Sequence, residues 1–394
     1  MNDVVVISGA RTPVGRFGGG FKDFSAVDLG AVVIKAALEK ANLEPNMVDE
    51  VILGNNYQLT HEGYTARLAS LKAGIPEEVP AIAINRQCSS GLEAINIAVQ
   101  LIKTGEVDIV VAGGTENMSQ VPYLVRYNAR WEGLRLGNST LEDALLSGLD
   151  CPVNHYQMGV TAENVADRYS ITREEQDEMA LSSHMRAVAA TNNGHFTNMV
   201  PVSVPQRRGD PVIVDQDEHP RPDTTLEGLA QLRTAFKKDG TVTAGNASGI
   251  NDGAAAVVLM SSEKAKELGL KPKLRWVSRG VAGVDPAYMG VGPIPSVTKA
   301  LDKAGMKLDD IDLVELNEAF AAQAIPCMRE LGMDIEKTNV NGSGISLGHP
   351  IGATGAILTV KLMDELERQD AEEGLVTMCV GGGQGVATIF ERIG

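Results

Sequence analysis

Short runs of aliphatic and β-branched residues alternate with longer stretches of helical periodicity along most of the chain. Strands are predicted at 4–7, 50–53, 109–112, 313–316 and 375–380, and helices near 26–40, 92–103, 318–331 and 356–366. An apolar run at 254–260 predicts a further buried strand. Strands that alternate with helices in this way are typical of an α/β fold.

The two ends of the chain repeat one order of features. In the first half a strand ends near Asn55, a second leads to Cys88 at the start of a helix, and a third ends in the glycine pair 113–114. In the second half a strand ends at Asn317, a glycine-rich turn precedes a helix, and the last apolar strand ends in the glycine triplet 381–383. This order favours an internal duplication. Because open α/β sheets bind ligands at the carboxyl ends of strands, the site is predicted there.

The stretch between the two halves differs in character, with many prolines and charged helical pieces, and it predicts an insertion. We therefore divide the chain into a first core half, residues 1–119 with 250–270, an inserted loop domain, residues 120–249, and a second core half, residues 271–394. Basic clusters at 207–208 and 233–238 of the insertion form either a solvated face or a contact for phosphates.

Composition narrows the class of protein. The chain has 394 residues, 43% of them hydrophobic and 22% charged, which is ordinary globular usage. Its net charge of −16 repels nucleic acid and anionic membrane surfaces, so neither is an expected partner. Four cysteines are too few for a disulfide framework and predict reduced thiols. With no apolar run of membrane-spanning length and no targeting segment, a cytoplasmic location is predicted.

Cys88 stands where a predicted strand gives way to a predicted helix. The helix has apolar positions at Leu92, Ile95, Val99 and Ile102. This spacing places the thiol near the helix N-terminus, where free N–H groups and the macrodipole favour the nucleophilic thiolate. A small buried core cysteine is the alternative interpretation.

Cys379 ends an apolar strand and is followed by three consecutive glycines. Core packing explains the strand but not the glycines, which indicate a close approach of the backbone or amides free to donate hydrogen bonds. The segment does not match the glycine fingerprint of dinucleotide-binding folds, and the chain has no Gly-Lys pair for a phosphate loop.

His349 lies in the glycine-rich segment 344–355, which also matches the G-x-S-x-G nucleophile pattern at Ser346. A serine hydrolase of that type needs its histidine well downstream of the serine, and none of the six histidines follows His349. The hydrolase interpretation therefore fails, while His349 itself remains either structural or catalytic.

A metal site has little support in the sequence. Cys151 and His155 are four residues apart, but Pro152 separates them, and no paired Cys-x-x-Cys or H-E-x-x-H motif occurs. No metal and no resident cofactor are expected. Asn317, at a strand-to-helix junction, either caps the helix or holds a water that donates to an oxyanion.

Five segments, taken together and in order, resemble the thiolases. They are Cys-Ser-Ser-Gly at 88–91, the glycine- and alanine-rich loop 245–255, Asn-Glu-Ala-Phe at 317–320, Gly-His-Pro-Ile-Gly-Ala-Thr-Gly at 348–355 and Cys-Val-Gly-Gly-Gly at 379–383. The resemblance runs from Arg11 to the last strand. It implies a duplicated five-layer α-β-α-β-α core with an inserted loop domain.

The resemblance also implies a role for each candidate. Cys88 would be the acylated nucleophile, activated by His349, and Cys379 the base that removes or returns the Cα proton of the incoming acyl-CoA. His349 and a water held by Asn317 would form one oxyanion hole, and the N–H groups of Cys88 and Gly381 the other. Two acyl thioesters can join only where a nucleophile, a base and two sets of oxyanion donors are all present.

Coenzyme A is implied as substrate and product. By the same resemblance, the residues that would bind it are Ser248, Ala247, Met158, Leu149, Arg221, Phe236, Ala319 and Phe320. Much of this site consists of small or apolar residues, which suits the long, mostly uncharged pantetheine arm.

Two segments depart from the family pattern. Acetoacetyl-CoA-forming thiolases often have His-Met-Gly where this chain has Gln157, Met158 and Gly159, and the segment 57–64 lacks the usual Gly-Gln-Asn-Pro run. The first departure bears on the pantetheine contact and the second on subunit contacts. Met289 keeps the bulk that can limit the depth of an acyl pocket.

The resemblance therefore implies acetyl-CoA C-acetyltransferase activity and a homotetramer built from dimers. A 3-ketoacyl-CoA thiolase of fatty-acid breakdown, with broader chain length, is the alternative within the family. A thiolase-like acyl-CoA carrier without turnover is the alternative of another class. A decarboxylating condensing enzyme is disfavoured because Cys379 stands where that relative usually has histidine.

Overall fold

The computed structural model describes residues 3–58 and 62–394. The segment 57–64, which departs from the family pattern, therefore lies partly outside the described residues, at 59–61. The first core half contains β1 (Val4–Arg11), β2 (Gly15–Arg16), α1 (Ala26–Ala41), β3 (Glu50–Gly54), α2 (Thr65–Lys72), β4 (Ala81–Ile84), α3 (Ser90–Thr104) and β5 (Ile109–Asn117).

The polypeptide then leaves the core and forms short hairpins and two longer helices. These elements are β6 (Tyr123–Leu124), α4 (Ala129–Glu132), β7 (Glu142–Asp143), α5 (Ala144–Gly148), β8 (Asp150–Cys151), β9 (Tyr156–Gln157), α6 (Met158–Tyr169), α7 (Arg173–Asn192), β10 (Val202–Val204), β11 (Val212–Val214) and α8 (Leu226–Ala230). Helix α7 begins with a capping box in which Thr172 and Glu175 each bond the other's backbone N–H.

The chain re-enters the core and completes it. The remaining elements are β12 (Asn251–Ser261), α9 (Ser262–Glu267), β13 (Leu274–Gly283), α10 (Pro293–Ala304), β14 (Leu313–Leu316), α11 (Ala321–Leu331), α12 (Gly344–Leu347), α13 (Thr354–Gln369), β15 (Glu373–Val380) and β16 (Gln384–Arg392).

The strand pairings repeat between the two halves. The order along the sheet is β14-β15-β16-β13-β1-β12-β5-β3-β4. In the first half β3 is parallel to β5, β5 is antiparallel to β12, and β12 is antiparallel to β1. In the second half β14, β15, β16 and β13 follow each other with the same directions. The halves join where β1 pairs with β13 over only two positions. This topology is that of a duplicated unit.

Three large apolar clusters lie between the strands and the helices that pack on them. Helices α1 and α2 cover one outer face, α10 and α11 cover the other, and α3 and α13 fill the middle layer. Both faces of strand β12 are apolar because each face packs against a different core. Ala254, Ala256 and Val258 belong to an outer core, and the alternate positions belong to the middle one. The order of layers is α-β-α-β-α.

The turn before α13 lies close against the first core half. The carbonyl oxygen of Gly352 occupies the space that a Cβ on Gly114, within β5, would need, and it would lie 2.7 Å from a Cβ on Gly54, the last residue of β3, and 3.0 Å from one on Gly91 in α3. Glycine at these positions lets the backbone of one half touch the backbone of the other. The loop that carries His349 is thereby brought to the carboxyl ends of the first-half strands.

One predicted helix boundary is wrong. The helix predicted over 318–331 begins at Ala321, and its N-cap is Phe320, which has no side-chain cap. Asn317 therefore does not cap this helix, and the segment 317–320 remains an extended loop. Among the helices of the described residues, none is long and apolar enough to cross a membrane.

Candidate active site

The nucleophile turn holds Cys88 immediately before α3. Ser90 Oγ accepts a hydrogen bond from Arg86 N–H at 2.8 Å and donates to Gln87 O at 2.6 Å. Gln87 takes a left-handed backbone conformation with φ of 46°. The Arg86 guanidinium donates to Gln384 Oε1 at 3.3 Å. The turn is thus fixed internally and tied to the start of β16, just after the glycine triplet.

The Cys88 thiol is neutral at rest. Burial raises its pKa to about 11, although hydrogen bonds from the N–H groups of Gly381 and of Cys88 itself oppose that shift. Loss of solvation outweighs the local N–H groups, so the shift of the pKa is opposite to the one expected from the N-terminus of α3. A base is therefore needed to generate the nucleophile.

The second cysteine lies beside the first. Cys379, at the end of β15, is fully buried, and its pKa is raised well above the usual value by burial and by the neighbouring Cys88 and Cys327 thiols. The next turn brings Gly381 N–H to the Cys88 sulfur. Gly383, with φ of 84°, lies so close to the Val284 carbonyl that a Cβ would clash. The glycine triplet therefore gives close backbone approach together with an amide that donates to the Cys88 sulfur.

His349 is almost completely buried, and both of its ring nitrogens have protein neighbours. Its Nδ1 lies 2.6 Å from Thr354 Oγ1, and its Nε2 lies 3.5 Å from Asn317 Nδ2. Burial lowers the pKa of His349 to about 4, so the ring is neutral at pH 7. The backbone N–H of His349 donates to Asn251 Oδ1 at 3.0 Å, which fixes the loop to β12. A neutral imidazole is available here to accept a proton.

Asn317 is positioned from behind by Gly344. A Cβ on Gly344 would lie 2.7 Å from Asn317 Oδ1, so glycine leaves room for the amide. Asn317 Oδ1 is buried and has no hydrogen-bond partner within the described residues. The amide is thus free to hold a polar group, as the resemblance implies.

Three of the predicted CoA-binding residues cluster at Cys379. Ala319 packs against Cys379 and Met289, and Met158 and Phe320 flank this group. Met158 Cε would lie 3.2 Å from a Cβ on Gly381. These apolar side chains form the wall next to the second cysteine.

Three further predicted residues extend the same wall. Ser248 N–H donates to Ala319 O at 2.9 Å, and Ala247 forms an isolated bridge with Phe320. Phe236 makes an edge-on contact with Phe320, with ring centroids 6.1 Å apart. The loop 245–248 is therefore bound directly to the segment 317–320.

The last two predicted residues are Leu149 and Arg221, which have separate surroundings. Leu149 packs in a small cluster with Cys88 and Ile351. Arg221 lines a cavity of about 200 Å³ that Gly245 also lines, and its N–H donates to His184 Nδ1 at 3.2 Å. Every predicted CoA-binding residue is thus near one of the catalytic candidates or beside the 245–248 loop.

The sequence interpretation missed two buried groups. Glu116, at the end of β5, accepts hydrogen bonds from the N–H groups of Asn56, Tyr57 and Gly352 and from Asn55 Nδ2. Burial raises its pKa to about 7, against the effect of those donors. The second is Thr354, which is buried and whose hydroxyl contacts His349 Nδ1. The only sequence signal for Glu116 is a charged residue at the end of an apolar strand.

The structure also places the residues of the serine-hydrolase pattern and of the Cys151–His155 pair. Ser346, in the short helix α12, is buried and bonds Ser183 Oγ at 2.8 Å rather than a histidine. Throughout residues 3–58 and 62–394, no group of three or more His, Cys, Asp or Glu side chains is arranged to hold a metal ion. The Cys151 sulfur accepts from Asn154 Nδ2 at 3.6 Å, and the Cys151 carbonyl oxygen accepts from His155 N–H at 2.8 Å.

Comparison with known proteins assigns the family. The chain matches the thiolase N-terminal domain over residues 4–263 and the thiolase C-terminal domain over residues 270–392. The chain belongs to the thiolase family. The resemblance predicted from the five segments is confirmed, and so is the fold class.

Relatives are similar over their full lengths. An acetyl-CoA acetyltransferase of Pseudomonas aeruginosa is 50% identical over 394 residues, covering 100% of both chains. The crystal structure of the Bacillus anthracis acetyl-CoA acetyltransferase has a TM-score of 0.98 at 50% identity and covers 100% of this chain and 99% of that one. Human mitochondrial 3-ketoacyl-CoA thiolase in complex with CoA has a TM-score of 0.96 at 46% identity, covering 100% and 98%.

Proposed function

We propose that this protein is an acetyl-CoA C-acetyltransferase, which condenses two acetyl-CoA molecules to acetoacetyl-CoA and CoA and runs the reverse thiolysis. The observation that carries the proposal is that Cys88, with Gly381 N–H on its sulfur, lies beside Cys379. The bonded pair His349 and Asn317 belongs to the two segments that pack around these thiols, through Ile351 at Cys88 and Ala319 at Cys379. Full-length relatives named acetyl-CoA acetyltransferase support it.

Acylation begins with proton transfer from Cys88 to His349. A thiol with a pKa near 11 and an imidazole with a pKa near 4 form a neutral pair, so the charges appear only as the sulfur attacks the thioester carbonyl. The N–H groups of Cys88 and Gly381, which face the sulfur, are placed to bind the tetrahedral oxyanion. Because these donors are fixed by the backbone, they need no reorganisation during the step.

Cys379 acts next, first as an acid and then as a base. Its raised pKa keeps it protonated, so it can give its proton to the departing CoA sulfur and become a thiolate. That thiolate removes the Cα proton of the second acetyl-CoA, whose enolate attacks acetyl-Cys88. The enolate oxygen is bound by protonated His349 and a water on Asn317, and His349 finally returns its proton to Cys88.

Coenzyme A is proposed to bind as substrate and product, with no resident cofactor and no metal. The wall formed by Met158, Phe320 and the 245–248 loop supports an extended pantetheine arm, and Arg221 lies in the cavity beyond this loop. Neither nucleic acid nor a membrane is proposed as a partner, and the cytoplasmic location stays a prediction from the sequence.

Met289 supports the short-chain assignment over the broad-range alternative. It is almost fully buried, and it contacts Cys379 and Ala319 in the apolar cluster where the acyl chain of a longer substrate would extend. Replacement of Met289 with alanine is expected to raise kcat/KM for six- and eight-carbon 3-ketoacyl-CoA, relative to the four-carbon substrate, by roughly 10-fold or more, because each buried methylene is worth about 1–3 kcal/mol.

A thiolysis series from four to ten carbons measures this preference. Met185→Ala is the matched control, since Met185 is an exposed methionine of α7. The wild type and the control should decline steeply beyond four carbons. Flat activity of the wild type across the series would contradict the acetoacetyl-CoA assignment and favour a broad-range 3-ketoacyl-CoA thiolase.

We propose that the protein is a homotetramer built from dimers. Strand β4 lies at the edge of the sheet, and its Ile82 side chain is half exposed. The hairpin loop between β6 and β7 exposes Tyr127, Trp131 and Leu136, a set of apolar side chains that monomers seldom leave in water. A dimer of dimers needs two different contact surfaces on each subunit. The edge strand β4 and the apolar loop between β6 and β7 provide two such surfaces.

The double substitution Trp131→Ser with Leu136→Ser is expected to convert tetramers into dimers, because it removes the apolar surface of the loop and leaves β4 unchanged. Light scattering coupled to size-exclusion chromatography measures the mass. Leu226→Ser, another exposed position in the insertion, serves as control and should remain tetrameric. A wild-type protein that elutes as a monomer would contradict the proposal.

A further inference from the structure

Thr354 contacts the catalytic candidate His349 at the nitrogen that faces away from Asn317. Its hydroxyl oxygen lies 2.6 Å from His349 Nδ1 and 2.9 Å from the carbonyl oxygen of Pro350. Thr354 is the first residue of α13 and is buried, so its side chain is held by the helix start and not by solvent.

The two contacts of this hydroxyl fix where its proton lies. A hydroxyl has one proton to donate, and a carbonyl oxygen can only accept. If the proton pointed at His349, the hydroxyl and the Pro350 carbonyl would face each other as two acceptors at 2.9 Å. The hydroxyl therefore donates to Pro350 O, the usual bond of a helical threonine to the carbonyl four residues earlier. It accepts from His349 Nδ1–H.

The other side of the ring agrees with this assignment. Asn317 presents its Nδ2, a donor, toward His349 Nε2 at 3.5 Å. Nε2 is then the ring nitrogen with the lone pair. Within the described residues no carboxylate bonds the ring, so His349 differs from the histidine of a Ser-His-Asp triad: its orienting partner is neutral.

We propose that Thr354 is a positioning residue that holds His349 in the Nδ1–H tautomer, so that Nε2 is always ready to accept the Cys88 proton. The proposal rests on the proposed acyl transfer. Once protonated, His349 keeps Nδ1–H bonded to Thr354 and turns Nε2–H toward the oxyanion. A neutral partner also leaves the imidazolium unpaired, so the ring gives its proton back readily when the Cys88 thiolate is released.

Thr354→Val tests this role because it keeps the branched shape and removes the hydroxyl. Pro350 O still accepts from Ala353 N–H at 2.8 Å and Thr354 N–H at 2.9 Å, so the substitution leaves only His349 Nδ1 without a partner. We expect kcat for thiolysis to fall by roughly 10- to 100-fold, with KM for the substrate changed less than about twofold. Thr354→Ser, which restores the hydroxyl, should recover most of kcat.

A second measurement reads the tautomer directly. In protein with ¹⁵N-labelled histidine, the His349 signals, assigned with His349→Asn, should show a protonated Nδ1 and an unprotonated Nε2 in the wild type and Thr354→Ser. Thr354→Val should show a mixture of tautomers. A wild-type spectrum with the proton on Nε2, or full kcat in Thr354→Val, would overturn the proposal.

The two measurements separate this inference from the proposed function. A wild type that lacks thiolase activity would contradict the acetyltransferase assignment, while the ¹⁵N spectrum would still decide the tautomer. Melting temperatures of the two Thr354 variants should agree within a few degrees. A Thr354→Val variant that melts far below Thr354→Ser and loses substrate binding together with kcat would mean that Thr354 is structural, which overturns the positioning role.

Discussion

Cys88→Ala is expected to abolish covalent acetylation and to lower kcat by a factor on the order of 10⁶, the scale seen when a hydrolase loses its nucleophile. The reason is geometric. Cys88 is the thiol that receives the N–H of Gly381, and alanine leaves no nucleophilic atom at that position. The methyl group of alanine preserves the start of α3, so folding should be unaffected.

The measurement is intact-protein mass after brief exposure to acetyl-CoA, followed by peptide mapping. Wild type should carry one acetyl group on the peptide that contains Cys88, and Cys88→Ala should carry none. Cys151→Ala is the matched control, because Cys151 is a buried cysteine of β8 outside the catalytic groups and should leave labelling and kcat unchanged.

Two results would contradict the assignment in different ways. Acetyl label that persists on Cys88→Ala would mean that another residue is the nucleophile. A wild type that binds CoA but never becomes labelled would favour the acyl-CoA carrier instead. Because the pKa of Cys88 is raised, its thiol can attack acetyl-CoA only after it loses its proton. A wild type that stays unlabelled would therefore imply that His349 does not accept this proton.

Features that depend on short segments of sequence, such as strand periodicity and turn residues, could be predicted. The repeated order of strand, asparagine, helix and glycine end predicted the duplication, because strand periodicity and turn residues are properties of short segments. The pairings of β3 with β5 and of β14 with β15 reproduce that repeat in space. The resemblance, which depends on the order and spacing of five segments, predicted the family and the fold class, and both are confirmed.

Properties that depend on distant packing could not be predicted. The N-terminus of α3 suggested a thiolate at Cys88, yet the thiol is neutral because Ile351, Leu149 and Met118 come from other parts of the chain and remove water from it. Glu116 bonds Gly352 N–H across 236 positions of sequence. No local pattern shows such a contact.

The conformation of the segment 317–320 could not be predicted from the sequence either. Asn317 and Phe320 lie in an extended segment between β14 and α11, where helical propensity at 318–320 had predicted helix. The backbone there pairs with the 245–248 loop, as in the bond from Ser248 N–H to Ala319 O. That tertiary pairing outweighs propensity, and it leaves Asn317 free to face His349.

Cys379→Ala should separate the two half-reactions. The variant is expected to acetylate at Cys88, because the nucleophile, His349 and the N–H donors remain and CoA can depart as its own thiolate. It should lose exchange of the acetyl-CoA Cα protons with deuterated water by at least about 10²- to 10⁴-fold, the range that a positioned base contributes. Condensation should fall in parallel, because no enolate forms.

Deuterium incorporation into acetyl-CoA, read by mass spectrometry, measures the exchange, and the Cys88 label measures acylation in the same sample. Cys379→Ser adds a sharper comparison. It keeps the shape of the side chain in the cluster with Met289 and Ala319, but a hydroxyl holds its proton more tightly than a thiol, so exchange should be lost there too. Normal exchange in either variant would remove Cys379 as the base, whereas loss of both label and exchange would mean that Cys379 supports the position of Gly381 more than the chemistry of the second substrate.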